Sequence, residues 1–138
     1  MLKLSGEVLA GAEGTGLDPM VLAGVARQLT SAQHGGARIA VVLGGGNIFR
    51  GLGAAAKGMD RVVADKMGML ATVINGLALM DAIRQQGGAA ELFNAFPIGA
   101  TARPYARDEA REVMDGEARP SWPGEPETRS SPRIQQLR

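Results

Sequence analysis

The sequence predicts an α/β fold built on a mostly parallel sheet, and three observations predict it. Short apolar runs, "MLKLS" and "RIAVVL", alternate with longer stretches of helical period. "RIAVVL", 38–43, is apolar without alternation, the pattern of a strand buried on both faces of a parallel sheet. Each run gives way to a glycine-rich segment at its carboxyl end, where open α/β sheets hold their ligands. A length of 138 residues suits one domain with a modest core.

Residues 1–5, "MLKLS", read as the end of a short buried strand, and "GEVLAGAEGTG" as a glycine-rich loop after it. Asp18 and Pro19 then form an N-cap and first helical residue, with Leu22, Val25, Ala26 and Leu29 on one face and Gly35-Gly36 at the end. After "RIAVVL" comes the loop "GGGN". Residues 61–86 predict a long, largely buried helix. Val62, Val63, Met67, Leu70, Val73, Ile74, Leu77 and Ile83 keep helical spacing, and its methionines read as core filler. "AELFNAFPI", 90–98, is a third strand and "RDEAREVM", 107–114, a last short helix. From residue 115 the pattern stops. "DGEARPSWPGEPETRSSPRIQQLR" holds four of the seven prolines, strands Trp122 without an apolar partner and predicts disorder, so 1–114 is the domain and 115–138 a tail.

Composition excludes several function classes. The net charge of +1 offers nothing to nucleic acid or a membrane surface. With no cysteine and a single histidine, thiolate and two-histidine metal sites are out, and no metal residue is assigned. His34, before Gly35-Gly36, reads as a capping or surface residue. No apolar run reads as long enough to span a membrane and the start lacks a signal segment, so a cytoplasmic location is expected.

The chemistry lies in the glycine loops. Three consecutive glycines, Gly44–Gly46, are costly to order and need a reason. Their bare N–H groups at a helix start can hold anionic oxygens, and Arg50 just beyond can fork onto phosphate. Lys3 adds a compact charge, Ser5 and Gly6 a hydroxyl and an open backbone, and Asp65 an acceptor for sugar hydroxyls. Each residue has a plainer reading: a strand-to-helix turn for the glycines, a solvated charge for Lys3 and Arg50, and an ion pair with Arg61 or Lys66 for Asp65. Neither a Walker A pattern nor a spaced G-x-G-x-x-G follows the first strand.

"KLSGE", "GTGLD", "VVLGGGNIFRG", "GMDRVVADKMGMLATVINGLALMDAI" and "ELFNAFP" stand in the order and spacing of bacterial-type uridylate (UMP) kinases, of the amino-acid-kinase superfamily, which the chain resembles from Lys3 to about Met114. The resemblance implies a three-layer α/β/α fold, incomplete at its C-terminal side, and transfer of a phosphoryl group from ATP with Mg²⁺ to UMP. It places Lys3, Leu4, Ser5, Gly6, Gly46 and Arg50 at ATP, with Lys3 catalytic, and Gly45 and Asp65 at UMP. It associates Gly11, Ala12, Glu13, Gly14, Thr15 and Gly16 with allosteric GTP, allows GTP and UTP as effectors, and implies a homohexamer. The family's later segments, including a "GTGNPFFTTD"-type loop, are not read in frame. Shifting the codons by one nucleotide lets Gly124 to Ile134 encode that loop, so a frameshift between about Met114 and Pro120 is expected. The chain as written is then expected to be marginally stable and inactive. The alternatives are a non-catalytic remnant that only oligomerises or binds nucleotide weakly, or another member of the fold acting on carbamate, an acyl phosphate acceptor or a stored oxyanion.

Overall fold

The computed structural model describes residues 1–50, 57–99 and 101–116. Its elements run β1 (Leu2–Leu4), α1 (Gly6–Leu9), a 3₁₀ turn (Gly11–Glu13), α2 (Pro19–His34), β2 (Val41–Leu43), α3 (Arg61–Gln85), β3 (Phe93–Asn94), β4 (Arg103–Pro104) and α4 (Arg107–Asp115). Both strand pairings are parallel: β1 with β2, Lys3 opposite Val42, and β3 with β4, Phe93 opposite Arg103. The α/β class and its parallel pairing are those the sequence predicts, and the described strands form two separate pairs.

Capping chemistry sets where the helices begin. Asp18 Oδ1 accepts from Met20 N at 2.8 Å and Val21 N at 3.2 Å, and Pro19 follows with no N–H to satisfy. Asp60 Oδ1 accepts from Val63 N at 3.1 Å and opens α3. At the far end of α2, His34 is exposed, Gly35 caps, and Gly36 turns the chain out at φ +87°.

Among the described residues, one buried cluster joins Ala26 and Leu29 of α2 to Leu79 and Ile83 of α3. Leu22, Val25, Ile39, Val41 and Leu43 pack around them. Both helices therefore cover one face of β2, and Val42, on the other face, is exposed. Polar ties close the far end of the helix pair, where Gln33 Nε2 donates to Ala89 O at 2.7 Å and Gln86 Nε2 to Ala23 O at 2.9 Å.

Several expectations need correcting. The segment after β1 is not all loop: α1 and the 3₁₀ turn form because Leu9 and Ala10 bury completely or nearly so against α2 and α3. The first strand is not buried, since Leu2 and Lys3 are exposed. "RIAVVL" and "AELFNAFPI" contribute strands of only three and two residues. Above all, only Val73 and Ile83 of the eight periodic residues picked on α3 are buried, and Leu77 is half-buried. Val62, Val63, Met67, Leu70 and Ile74 are exposed, whereas Ala64, Ala71, Val73, Asn75, Gly76, Leu79, Met80 and Ile83 are buried. Small residues bring the helix axis close to its neighbours, and of the methionines on this helix only Met80 is core. By length and composition α3 also passes as a membrane-spanning helix, contrary to the expectation that no run would. Its buried side carries Asn75 and packs on α2 and the glycine loop, as a core helix does.

In the tail, α4 reaches Asp115, which pairs with Arg38, and Gly116 caps it. The expected disorder and Trp122 lie outside the described residues.

Candidate functional site

The carboxyl ends of β1 and β2 meet. Gly44 N donates to Leu4 O at 3.0 Å, which sets the "GGGN" loop beside Ser5 and Gly6. The glycines here have different reasons to be glycine. A Cβ on Gly6 would stand 2.2 Å from Asn47 Oδ1 and 2.8 Å from Gly44 O. One on Gly44 would stand 3.1 Å from Gly6 N, and one on Gly45 2.8 Å from Ala71 Cβ and 2.9 Å from Thr72 N. A Cβ on Gly46 would meet no described residue within 4 Å. Gly6, Gly44 and Gly45 are thus places where two backbones touch, and Gly46 is the open end of the loop. The open backbone expected at Gly6 is absent: Gly6 is buried, and the Ser5 hydroxyl already accepts from Glu7 N at 3.3 Å.

Two asparagines hold this arrangement. Asn47 Nδ2 donates to Gly16 O at 2.6 Å and to Asn75 Oδ1 at 3.0 Å. Asn75 Nδ2 donates to Gly44 O at 2.6 Å and to Asn47 Oδ1 at 2.7 Å. Asn75 is wholly buried and Asn47 is 3% exposed, so each amide must be satisfied internally, and all four of their N–H bonds are. Among the described residues, the N–H groups of Gly45 and Gly46 meet no acceptor.

The charged residues sit around this loop. Lys3 is the middle residue of β1, exposed, and no described carboxylate pairs with it. Arg50 Nε donates to Gly46 O at 3.2 Å, and its guanidinium also pairs with Glu7 on α1. Both partners of that pair are mostly exposed, so it contributes about 0–1 kcal/mol and yields readily to a better anion. Asp65 pairs with Arg61 at 3.9 Å across one helical turn, the plainer of the two readings made for it. It also lines an open cleft of about 550 Å³ with Ala64, Gly68, Thr72, Asn94 and Phe96. Thr72 belongs to both the cleft and the Gly45 contact, and Asp65 stands two turns before it, about 10 Å along the axis at 1.5 Å per residue.

The sequence-predicted residues therefore divide. Leu4, Ser5, Gly6, Gly45, Gly46 and Arg50 come together, with Lys3 one residue behind on β1, whereas Asp65 lines a cleft that meets the loop only at Thr72. Of Gly11–Gly16, only Gly16 touches the glycine loop, its N–H donating to Asn47 O at 2.9 Å. Gly11, at φ +61°, packs on the Asp18 side chain, while Ala12, Glu13 and Thr15 are exposed. Sequence reasoning missed Asn75, Thr72 and Phe96. The signal for Asn75 was available: it is the one amide in "LATVINGLALM", and a polar side chain inside such a run needs a buried partner.

Comparison with known proteins gives the family. The model of the amino acid kinase family matches residues 1–128. A uridylate kinase of Vibrio cholerae is 48% identical over 117 residues, 84% of this chain and 48% of that protein. One of Xanthomonas axonopodis pv. citri is 49% identical over 110 residues, 80% of this chain and 46% of that protein. Among solved structures, the UMP kinase of Bacillus anthracis superposes with a TM-score of 0.76 at 36% identity, covering 84% of this chain and 48% of the other. That of Ureaplasma parvum gives 0.74 at 31% identity, covering 84% and 49%. The chain spans about half the length of the curated relatives it matches. A parallel strand pair ending in facing glycine loops, together with a family match over nearly its whole length, means that this chain belongs to the amino acid kinase family.

Proposed function

We propose that this chain carries the phosphate-holding part of a uridylate kinase, which transfers the γ-phosphoryl group of ATP to UMP and yields ADP and UDP. The observation that carries this reading is the loop itself: two adjacent N–H groups, at Gly45 and Gly46, that meet no acceptor among the described residues, with an arginine held by weak contacts beyond them and, on β1, a lysine that no described carboxylate pairs with. Uridylate kinases are also the relatives that match it.

In this reading the β- and γ-phosphates of ATP lie against Lys3, Leu4, Ser5, Gly6 and Gly46. Arg50 exchanges Glu7 for a phosphate oxygen. The UMP phosphate reaches Gly45, and the nucleoside occupies the cleft beside Asp65, whose carboxylate accepts from the ribose. A cleft of about 550 Å³ is of the size that takes a mononucleotide. An oxygen of the UMP phosphate attacks the γ-phosphorus as the bond from phosphorus to the bridging oxygen of ADP breaks. Lys3 acts catalytically by stabilising the charge on the moving group, and the protein's other work is positioning. Mg²⁺ enters with ATP. ATP phosphates would hold it, and among the described residues no group of three or more His, Asp or Glu could cage it. GTP or UTP as effectors at Gly11–Gly16, and a hexameric assembly, belong to the same proposal.

Calorimetric titration of the chain with ATP and with UMP, each alone, tests it. Binding of both is expected. Binding of ATP without UMP would move the chain to another acceptor within the family, and binding of neither would contradict the reading.

A further inference from the structure

We infer that the Asn47–Asn75 amide pair is a positioning device that aims the Gly45 and Gly46 N–H groups outward; the inference rests on reading that loop as a phosphate cradle. The pair does more than fill space. Asn75 Nδ2 pulls the Gly44 carbonyl toward α3 at 2.6 Å, and Asn47 Nδ2 pulls the Gly16 carbonyl at 2.6 Å. The Gly44–Gly45 peptide unit is thereby fixed, and Asn47, at the end of the glycine run, is tied to Gly16. Ile48 N and Phe49 N also both donate to Gly45 O at 3.0 Å, which engages that carbonyl in the turn that follows. With the Gly44 carbonyl committed to Asn75 and the Gly45 carbonyl to the turn that follows it, the N–H groups on Gly45 and Gly46 point away from those partners, because the two dipoles of a trans peptide point oppositely.

A loop of three glycines would not hold this arrangement by itself, since each glycine visits many backbone states. The network is closed: four N–H bonds, two side-chain oxygens and no water needed. Gly6 completes it. Its missing side chain leaves the space that Asn47 Oδ1 and Asn75 Nδ2 occupy, at 2.2 and 3.0 Å from where a Cβ would sit. The absence of a side chain at Gly6 is thus matched to the asparagines. Neither asparagine needs to touch a phosphate, and both act through the backbone they hold.

The test uses the full chain with the paired substitution Asn47→Leu and Asn75→Leu, which removes both partners and keeps their shape. Nitrogen-15 relaxation reads the Gly44–Asn47 amides without ligand, hydrogen exchange reads Leu79 and Ile83, and titration reads ATP affinity. The inference expects core exchange unchanged. It expects order parameters at Gly45 and Gly46 to fall from about 0.85 to below about 0.6, and ATP affinity to drop tenfold or more. Loop amides that stay rigid, or ATP bound as tightly as by the parent, would overturn it. If the double variant does not fold, Asn75→Asp, which keeps the shape and loses both donors, is read the same way. Should the parent chain itself bind no ATP, the cradle reading falls, and the relaxation data alone decide whether the pair positions the loop.

Discussion

The difference between Gly45 and Gly46 is the sharpest statement the chain makes at the scale of a residue. Both are bare, adjacent and on one loop, yet a methyl group on Gly45 would enter α3 at 2.8 Å from Ala71 Cβ, and one on Gly46 would meet no described residue. Gly45→Ala should therefore cost about 1–3 kcal/mol of stability through overpacking, seen as a lowered melting temperature. Gly46→Ala should stay within about 0.5 kcal/mol of the parent while weakening ATP binding, because its methyl group stands where the nucleotide should approach. Arg50 gives a second contrast. Its exposed pair with Glu7 competes with any incoming anion, so Glu7→Gln should leave the melting temperature nearly unchanged and raise ATP affinity up to about fivefold, the equivalent of roughly 1 kcal/mol. A fall in affinity would mean that Glu7 holds Arg50 in place for the ligand.

Among the elements, α3 organises the rest. It caps on Asp60, receives Gly45 at Ala71, binds the loop through Asn75, and meets α2 through Leu79 and Ile83. Leu79→Ala should cost about 2–5 kcal/mol, measured by denaturant unfolding, because Leu79 is nearly fully buried between the helices. Leu70→Ala, at an exposed position of the same helix, should cost far less in the isolated chain. What the sequence made legible follows from the same physics. Helix limits could be read because Asp18-Pro19 and Gly35-Gly36 act locally, and so could the loops that bring Lys3, Gly45, Gly46 and Arg50 together. The buried face of α3 could not, because that helix is apolar nearly all round and periodicity then chooses no side. Ala71, Gly76 and Asn75 choose it, through close approach and a hydrogen bond whose partners lie some thirty residues away. The short helix after Ser5 was hidden for a related reason: its glycines look like loop, and the burial of Leu9 that forms it depends on distant helices.

Across the whole molecule, cohesion is uneven. α2, β2 and α3 share one apolar cluster. The β3–β4 pair has two residues a strand and is held by an edge contact of Phe93 with Tyr105 and by Arg103 over the Phe93 ring. Hydrogen exchange should find the amides of 93–105 opening at a lower free energy than those of 26–29 and 76–83. The glycine loop lies between these regimes, tied to the stable unit by Asn75 and open at Gly46. The most direct measurement of the account is an amide chemical-shift titration of the isotope-labelled chain with ATP. The largest and earliest changes are predicted at Gly45 and Gly46, with Lys3 and Arg50 following. ATP binding that leaves those two amides unmoved while shifting resonances elsewhere would contradict it.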